Sequence, residues 1–151
     1  MNFRHHLETR IHIRATAQQI WTVLMDFERY PQWNPFIRQL QGFAEPGQTL
    51  RVEVLPVGGQ PMMFKPKVLV VKKAHELRWL GIFLFKRLFD GEHYFRLEPV
   101  SDGVVFIHGE NFRGLLVPLF RRMLQRRTLP GFEAMNVALR HRVEVLDRGQ
   151  T

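Results

Sequence analysis

The sequence predicts an α+β domain in which a long C-terminal helix covers an antiparallel sheet. Residues 6–14 alternate between polar and apolar side chains with a period of two, which is typical of a half-buried strand. Further short apolar segments separated by turn signals follow from position 37 to position 112. From about Val117 to Leu146 the apolar spacing is helical, and such a helix can bury one face of the sheet.

The first helix is predicted to begin after Thr16, because Thr16 and Gln19 have the spacing of a capping box. Pro31 and Pro35 interrupt the helical pattern and predict a short loop. The apolar stripe of this helix, spaced at three and four residues, consists of Ile20, Trp21, Val23, Leu24 and Phe27.

Six strands are predicted after this loop, at 37–43, 50–56, 64–73, 77–81, 93–98 and 104–112. Gly58 and Gly59 predict a turn. Pro130 followed by Gly131 is expected to kink or break the C-terminal helix.

Composition limits the classes of protein and of chemistry. The 151 residues are expected to form a single ligand-binding domain, 1–151. There are no cysteines, which excludes a disulfide scaffold, a thiolate nucleophile and a Cys-ligated metal. A net charge of +8 favours an anionic partner, whereas 13 phenylalanines favour a large apolar interior or an apolar cavity.

The apolar segments are too short to cross a bilayer, and the N-terminus lacks the apolar stretch of a secretory signal. The cytoplasm is therefore the expected location. We expect no nucleic-acid partner, because the motifs of nucleic-acid-binding folds are absent and the aromatic residues alternate with Leu, Ile and Val.

His93, His108 and Glu110 are the main candidates for chemistry. If Leu97 pairs with Val104, then His93 lies opposite His108, on the face that also carries apolar residues. Two imidazoles and a carboxylate could act as acid and base, orient a polar group of a ligand, or only satisfy one another. They could also hold a metal ion, although we expect neither a metal nor a cofactor.

Two other segments are unusual. Residues 80–91 lie between strands yet are very apolar, which predicts a flap over a pocket, an extension of the strands, or a homodimer contact involving Phe83 and Phe85.

Residues 113–148 carry eight arginines and three acidic residues. This basic helix could contact an anionic membrane surface or simply be solvated, and the arginines concerned are Arg121, Arg122, Arg126 and Arg127.

Several motifs together resemble the START-like (SRPBCC) superfamily, and within it the polyketide cyclase/dehydrase and lipid-transport branch. They include DFERYPQWNPFI, MFKPKVLVV, FDGEHYFRLEP and LPGFEAMNVAL, and the resemblance covers roughly residues 6–148. It implies a helix-grip fold with an apolar cavity under the C-terminal helix, and a loop containing Trp33 and Asn34 at its mouth. In the alternative without a ligand contact, Trp33 lies in the core and Asn34 caps the turn.

The first functional hypothesis is therefore binding of a hydrophobic or aromatic small molecule or lipid, with transport of that molecule as an option. The alternative is a cyclase or dehydratase in which Glu110 acts with His108 or His93 as acid and base. The residues expected to contact the ligand are Trp33, Asn34, Val52, Val54, Phe64, Val68, Trp79, His93, Phe95, Phe106, His108, Glu110, Phe112, Phe132, Met135 and Leu139.

Overall fold

The computed structural model describes residues 2–149, so positions 1, 150 and 151 of the predicted domain lie outside the described residues. In this range the chain forms eight strands and four α-helices. The strands are Arg4–Ile13 (β1), Ile37–Gln41 (β2), Arg51–Val54 (β3), Met62–Phe64 (β4), Lys67–Lys72 (β5), Glu76–Phe83 (β6), Phe89–Val100 (β7) and Gly103–Arg113 (β8). The helices are Ala17–Met25 (α1), Tyr30–Trp33 (α2), Val117–Met123 (α3) and Leu129–Arg148 (α4).

The strands form two antiparallel sheets. One has the order β1-β8-β7-β6-β5 and the other the order β2-β3-β4. A single bridge between Thr49 and Lys67 links the chain before β3 to β5. The inward faces of these sheets and of the helices form one apolar core. The predicted arrangement, a curved antiparallel sheet with a long C-terminal helix, is confirmed.

The predicted capping box is present at the start of α1. The backbone N–H of Gln19 donates to Thr16 Oγ1 at 3.1 Å, and the backbone N–H of Thr16 donates to Gln19 Oε1 at 2.8 Å. Two N–H groups that the first helical turn would otherwise leave unpaired are thereby satisfied. The predicted apolar stripe of α1 is buried in the core.

The predicted register of the β7–β8 hairpin is wrong by two residues. His93 lies opposite Glu110, and His108 lies opposite Phe95. The reason is that Pro99 remains in β7, where it is paired with Val104, so the turn is tighter than predicted. Because side chains alternate with a period of two, this shift leaves the same residues on the inward face.

The predicted strand 64–73 is two strands, because Pro66 separates β4 from β5. Proline cannot donate to a ladder, and its carbonyl instead accepts the backbone N–H of Leu50 at 2.8 Å. The following strand continues to Lys72 and pairs with β6.

Of the kink or break expected at Pro130 and Gly131, the break is wrong. α3 and α4 are joined by a π-helical turn over Leu124–Thr128, so the helix continues from Val117 to Arg148. A proline ring clashes with the carbonyl four residues earlier, and a locally wider turn relieves that clash. The carbonyl of Arg127 accepts the backbone N–H of Val57 at 3.1 Å, which ties this turn to the chain after β3.

The segment 80–91 consists of the ends of β6 and β7 and the turn between them, in agreement with the alternative of a strand extension. Gly81 pairs with Gly91 and Phe83 pairs with Phe89, so the two glycines lie inside the ladder. The turn is fixed by Asp90, whose carboxylate accepts the backbone N–H of Arg87 at 3.0 and 3.1 Å. Leu84 and Phe85 at its tip are exposed.

Between residues 2 and 149 we find no helix that combines the length and apolar character needed to cross a bilayer.

Candidate functional site

A cavity of about 90 Å³ lies between the two sheets and the start of the C-terminal helix. Most of its walls are apolar, and the titratable groups among its lining residues are His93 and Glu110. Met62 and Phe83 line the cavity and are also substantially exposed, which places its mouth beside β4 and the β6–β7 hairpin.

Two facing glycines leave room for this cavity. Gly81 on β6 and Gly91 on β7 are paired, and both are among its lining residues. A Cβ on Gly81 would meet only the carbonyl oxygen of Gly91 at 3.8 Å, whereas a Cβ on Gly91 would lie 2.9 Å from Glu110 Oε1. The missing side chains therefore provide both open space and room for the Glu110 carboxylate.

The structure brings seven of the sixteen predicted contact residues to the cavity wall: Val52, Val54, Phe64, Trp79, His93, Glu110 and Phe112. They come from β3, β4, β6, β7 and β8. The inward parity of these strands, read from the sequence, explains why they meet.

Seven other predicted residues do not line the cavity, and they are Val68, Phe95, Phe106, His108, Phe132, Met135 and Leu139. They are buried below it, where the aromatic rings contact one another directly. Phe95 stacks on Phe106 with ring centroids 5.7 Å apart, and Phe132 stacks on His108 at 4.1 Å. Side chains therefore fill the space under the helix that the family resemblance implied would be open.

Trp33 and Asn34 also lie away from the cavity. Trp33 packs edge-on against Tyr30, with ring centroids 5.1 Å apart. Asn34 Oδ1 accepts the backbone N–H groups of Phe36 and Ile37 at 2.9 and 2.8 Å. The asparagine thus caps the turn before β2, as expected in the alternative without a ligand contact.

His93 links the cavity to the buried interior. Its Nδ1 lies 3.3 Å from Glu110 Oε1, and its Nε2 lies 2.8 Å from His108 Nε2. The ring is held flat against Trp79, with centroids 5.1 Å apart and planes 11° apart. His93 is almost fully buried, whereas the Glu110 side chain remains 16% exposed.

Two further polar residues, whose role is not among the predictions from the sequence, complete this network. His108 Nδ1 lies 3.0 Å from Asn136 Oδ1, and Asn136 Nδ2 donates to Thr9 Oγ1 at 2.7 Å. Both residues occupy positions that the sequence marks as inward. Thr9 shares the parity of Leu7 and Ile11, and Asn136 follows Phe132 by four residues on the buried helix face. The sequence signal for this network was therefore the presence of polar residues at two positions where the pattern calls for apolar ones.

Burial lowers the pKa of His108 well below its usual value, and the neighbouring His93 lowers it further. The ring is fully buried among Phe36, Phe95 and Phe132. A charged imidazolium would be poorly solvated there. His108 is therefore a neutral imidazole at physiological pH.

The described residues contain no cluster of three His, Asp or Glu side chains suited to a metal ion. The geometry of His93 explains this for the predicted trio, because its two ring nitrogens point to different partners. Donor atoms of His93, His108 and Glu110 consequently do not converge on one point.

One of the four arginines of the predicted basic surface makes hydrogen bonds within the protein. Arg121 Nη2 donates to the carbonyl oxygens of Asn2 and Arg4 at 2.7 and 3.4 Å, so this residue ties the helix to the start of β1. Arg122, Arg126 and Arg127 are exposed.

The fold defines a class: a START-like helix-grip protein. Residues 4–144 match the family model described as polyketide cyclase / dehydrase and lipid transport, and the chain belongs to that family. A comparison with curated protein sequences found no match.

Solved structures share the fold. The Zhui aromatase/cyclase from Streptomyces sp. R1128 is 17% identical, with a TM-score of 0.75 over 93% of this chain and 94% of that one. A START superfamily protein from Mycobacterium smegmatis is 24% identical, with a TM-score of 0.68 over 94% and 99%. The di-domain ARO/CYC BexL is 10% identical, with a TM-score of 0.76 over 94% of this chain. This chain spans about half the length of BexL and of a second di-domain ARO/CYC, StfQ.

Proposed function

We propose that this protein binds a hydrophobic or aromatic small molecule in the cavity between its sheets, with the polar part of the molecule at Glu110 and His93. The observation that carries the proposal is a carboxylate and an imidazole at the wall of an otherwise apolar cavity. Apolar walls with a few fixed polar groups are typical of ligand sites, since burial supplies affinity and hydrogen bonds supply orientation.

The size of the cavity limits the group that enters it. Pockets for drug-sized ligands have volumes of about 300–1,000 Å³, whereas this cavity has about 90 Å³. A ring or a short apolar group is the part of a ligand that fits, and a larger molecule extends through the mouth. Met62 and Met123 line the cavity, and flexible methionine side chains can move to widen it.

The series Gly81→Ala, Gly81→Val and Gly81→Leu is expected to fill the cavity progressively. We expect Gly81→Leu to weaken binding of a small aromatic probe, 2-naphthol, about tenfold, the ratio that corresponds to about 1.4 kcal/mol. The cause is steric, because position 81 faces open space. Saturation-transfer NMR and isothermal titration calorimetry measure the affinity.

Gly81→Ala is the matched control, since its Cβ makes only an ordinary contact with Gly91 and should leave binding nearly unchanged. Urea denaturation checks that all three variants remain folded. Equal affinity of the wild type and Gly81→Leu would show that the probe binds elsewhere. Native mass spectrometry of the purified protein tests separately for a molecule acquired during expression.

A second candidate function is acid–base catalysis of the cyclase or dehydratase type. It is favoured by the contact between His93 Nδ1 and Glu110 Oε1 at the cavity wall. The two candidate functions are distinguished by whether the bound molecule is converted to a product. A catalytic role requires a reaction that Glu110→Gln abolishes while 2-naphthol still binds, whereas a carrier shows binding without turnover.

We also propose that one end of the molecule contacts anionic membrane surfaces. Leu115, Leu119, Arg122 and Arg126 follow one another with helical spacing and are all exposed. The adjacent tip of the β6–β7 hairpin adds the exposed Phe85, because the backbone N–H of Leu115 donates to the carbonyl of Arg87 at 3.1 Å. Apolar side chains beside cations are the combination that binds at a lipid interface.

The double variant Phe85→Asp with Leu119→Asp is expected to lose sedimentation with phosphatidylcholine vesicles that contain phosphatidylserine. Leu69→Asp, at an exposed position on β5, is the control and should sediment like the wild type. Equal sedimentation of the double variant would contradict membrane contact. A lower mass of the double variant in light scattering would instead identify this surface as a homodimer contact.

A further inference from the structure

Five side chains from β1, β7, β8 and α4 form a continuous hydrogen-bonded chain from the interior to the cavity. In order, the chain runs from Thr9 through Asn136, His108 and His93 to Glu110. The direction of each hydrogen bond can be derived by starting at Thr9. The hydroxyl of Thr9 must donate to a backbone carbonyl, because a carbonyl oxygen can only accept.

The first step fixes the amide of Asn136. The hydroxyl of Thr9 donates to the backbone carbonyl of His108 at 3.0 Å. Its oxygen is then left to accept, and it accepts from Asn136 Nδ2 at 2.7 Å. The amide oxygen Oδ1 of Asn136 therefore points towards His108 Nδ1.

The second step fixes the tautomer of His108. An amide oxygen can only accept a hydrogen bond, so the hydrogen must be on His108 Nδ1. Because the buried ring is neutral, it carries one N–H only, and its Nε2 is a bare acceptor.

The third step places a proton at the cavity. His93 Nε2 must donate to the bare His108 Nε2 at 2.8 Å. His93 Nδ1 then faces Glu110 Oε1 at 3.3 Å. Without a proton between them, two lone pairs would oppose each other. One proton therefore lies between these atoms, on the imidazole or on the carboxyl group.

We propose that Asn136 is a positioning residue that, oriented by Thr9, holds one exchangeable proton between His93 and Glu110 at the cavity wall. His108 relays the orientation and does not itself exchange a proton with a ligand. This inference deepens the proposed function and rests on it, because it takes the cavity as the place where the proton meets a ligand.

The surroundings contain no competing charge among the contacts of the described residues. His108 is enclosed by Phe36 from the chain before β2, Phe95 from β7, Phe106 from β8 and Phe132 from α4. The titratable groups that face it are His93 and, beyond His93, Glu110. Trp79 on β6 covers the other face of His93.

Two-bond ¹H–¹⁵N spectra of the ligand-free protein, labelled with ¹⁵N-histidine, test the proposal directly. We expect His108 to show a protonated Nδ1 and a bare Nε2, unchanged between about pH 8 and pH 6. His93 is expected to show a protonated Nε2 throughout. A protonated Nε2 on His108 in the wild type would overturn the proposal.

Asn136→Leu removes the acceptor and is expected to give His108 a substantial fraction with the proton on Nε2. Thr9→Val frees the amide to rotate and should act in the same direction, which gives a second variant if the first does not fold. Met135→Leu, a buried neighbour that forms no part of the chain of hydrogen bonds, is the matched control and should keep the wild-type tautomers. Unchanged tautomers in both Asn136→Leu and Thr9→Val would refute the positioning role.

These spectra need no ligand, so the outcome separates the two proposals. The expected tautomers with no binding of 2-naphthol would contradict only the proposed function. Reversed tautomers in a protein that binds 2-naphthol would contradict only the positioning of the proton.

Discussion

Replacing Phe132 with alanine is expected to lower the free energy of unfolding by about 4 kcal/mol, which is typical of a large aromatic residue removed from a close-packed core. The side chain is fully buried on α4. It stacks on His108 at 4.1 Å and meets the rings of Phe36 and His93 edge-on at 5.3 and 5.2 Å. Its loss leaves a void that these rigid neighbours cannot fill.

Urea denaturation monitored by circular dichroism measures this loss as a lower midpoint at an unchanged slope. Phe85→Ala is the matched control, because the same atoms are removed from a side chain that is 74% exposed. A change within about 0.5 kcal/mol is expected there. If the two variants lost equal stability, the space under the C-terminal helix would not be the close-packed region that the structure shows.

The order and type of the main elements followed from local patterns in the sequence. The capping box at Thr16 marked the start of α1, and alternating residues marked the inward faces of β1 and β8. What local patterns could not give was pairing across the chain. Pro99 looked like part of a turn, yet it remains in β7, so the predicted register was wrong by two residues.

The candidate site was predictable in its composition but not in its connections. His93, His108 and Glu110 share one face because side-chain parity does not change when the register shifts by two. Which atom meets which depends on the register itself, so the pairing of His93 with Glu110 could only come from the structure. The role of Asn136 depends on how α4 lies against β1 and β8, which sequence spacing does not specify.

The extent of the cavity was the least predictable feature. An apolar inward residue can line a cavity or fill it, and the sequence pattern is the same in both cases. Phe95 and Phe106 fill the interior, whereas Phe112 lines the cavity on the same face of β8 as Phe106. The difference lies in Gly81 and Gly91, whose missing side chains leave space only near the hairpin end.

The stability of the protein is expected to fall with decreasing pH because of His108. The pKa of His108 is lowered well below 6.5 in the folded state, mainly by burial. Above about pH 6.5 the residue is neutral in both states and contributes no pH dependence. Below that value the unfolded chain takes up a proton that the folded protein does not, so unfolding becomes easier.

The size of the effect follows from the difference of one proton. The free energy of unfolding is expected to fall by about 1.4 kcal/mol for each pH unit below the unfolded pKa, until the pH reaches the lower folded pKa. A loss of this size per pH unit is a substantial fraction of the stability of a typical domain, which is about 5–15 kcal/mol. Urea denaturation at a series of pH values measures this slope.

His108→Gln should remove about one proton's share of that slope, whatever it does to stability at neutral pH, because glutamine does not titrate. Ile107→Val is the control: it shortens a fully buried side chain on the same strand but keeps His108, and should retain the wild-type slope. A His108→Gln slope equal to that of the wild type would mean that the folded protein protonates this ring as readily as the unfolded chain. A ring protonated in that way could not offer the bare Nε2 on which the orientation of His93 depends, so the same measurement also bears on where the proton at the cavity lies.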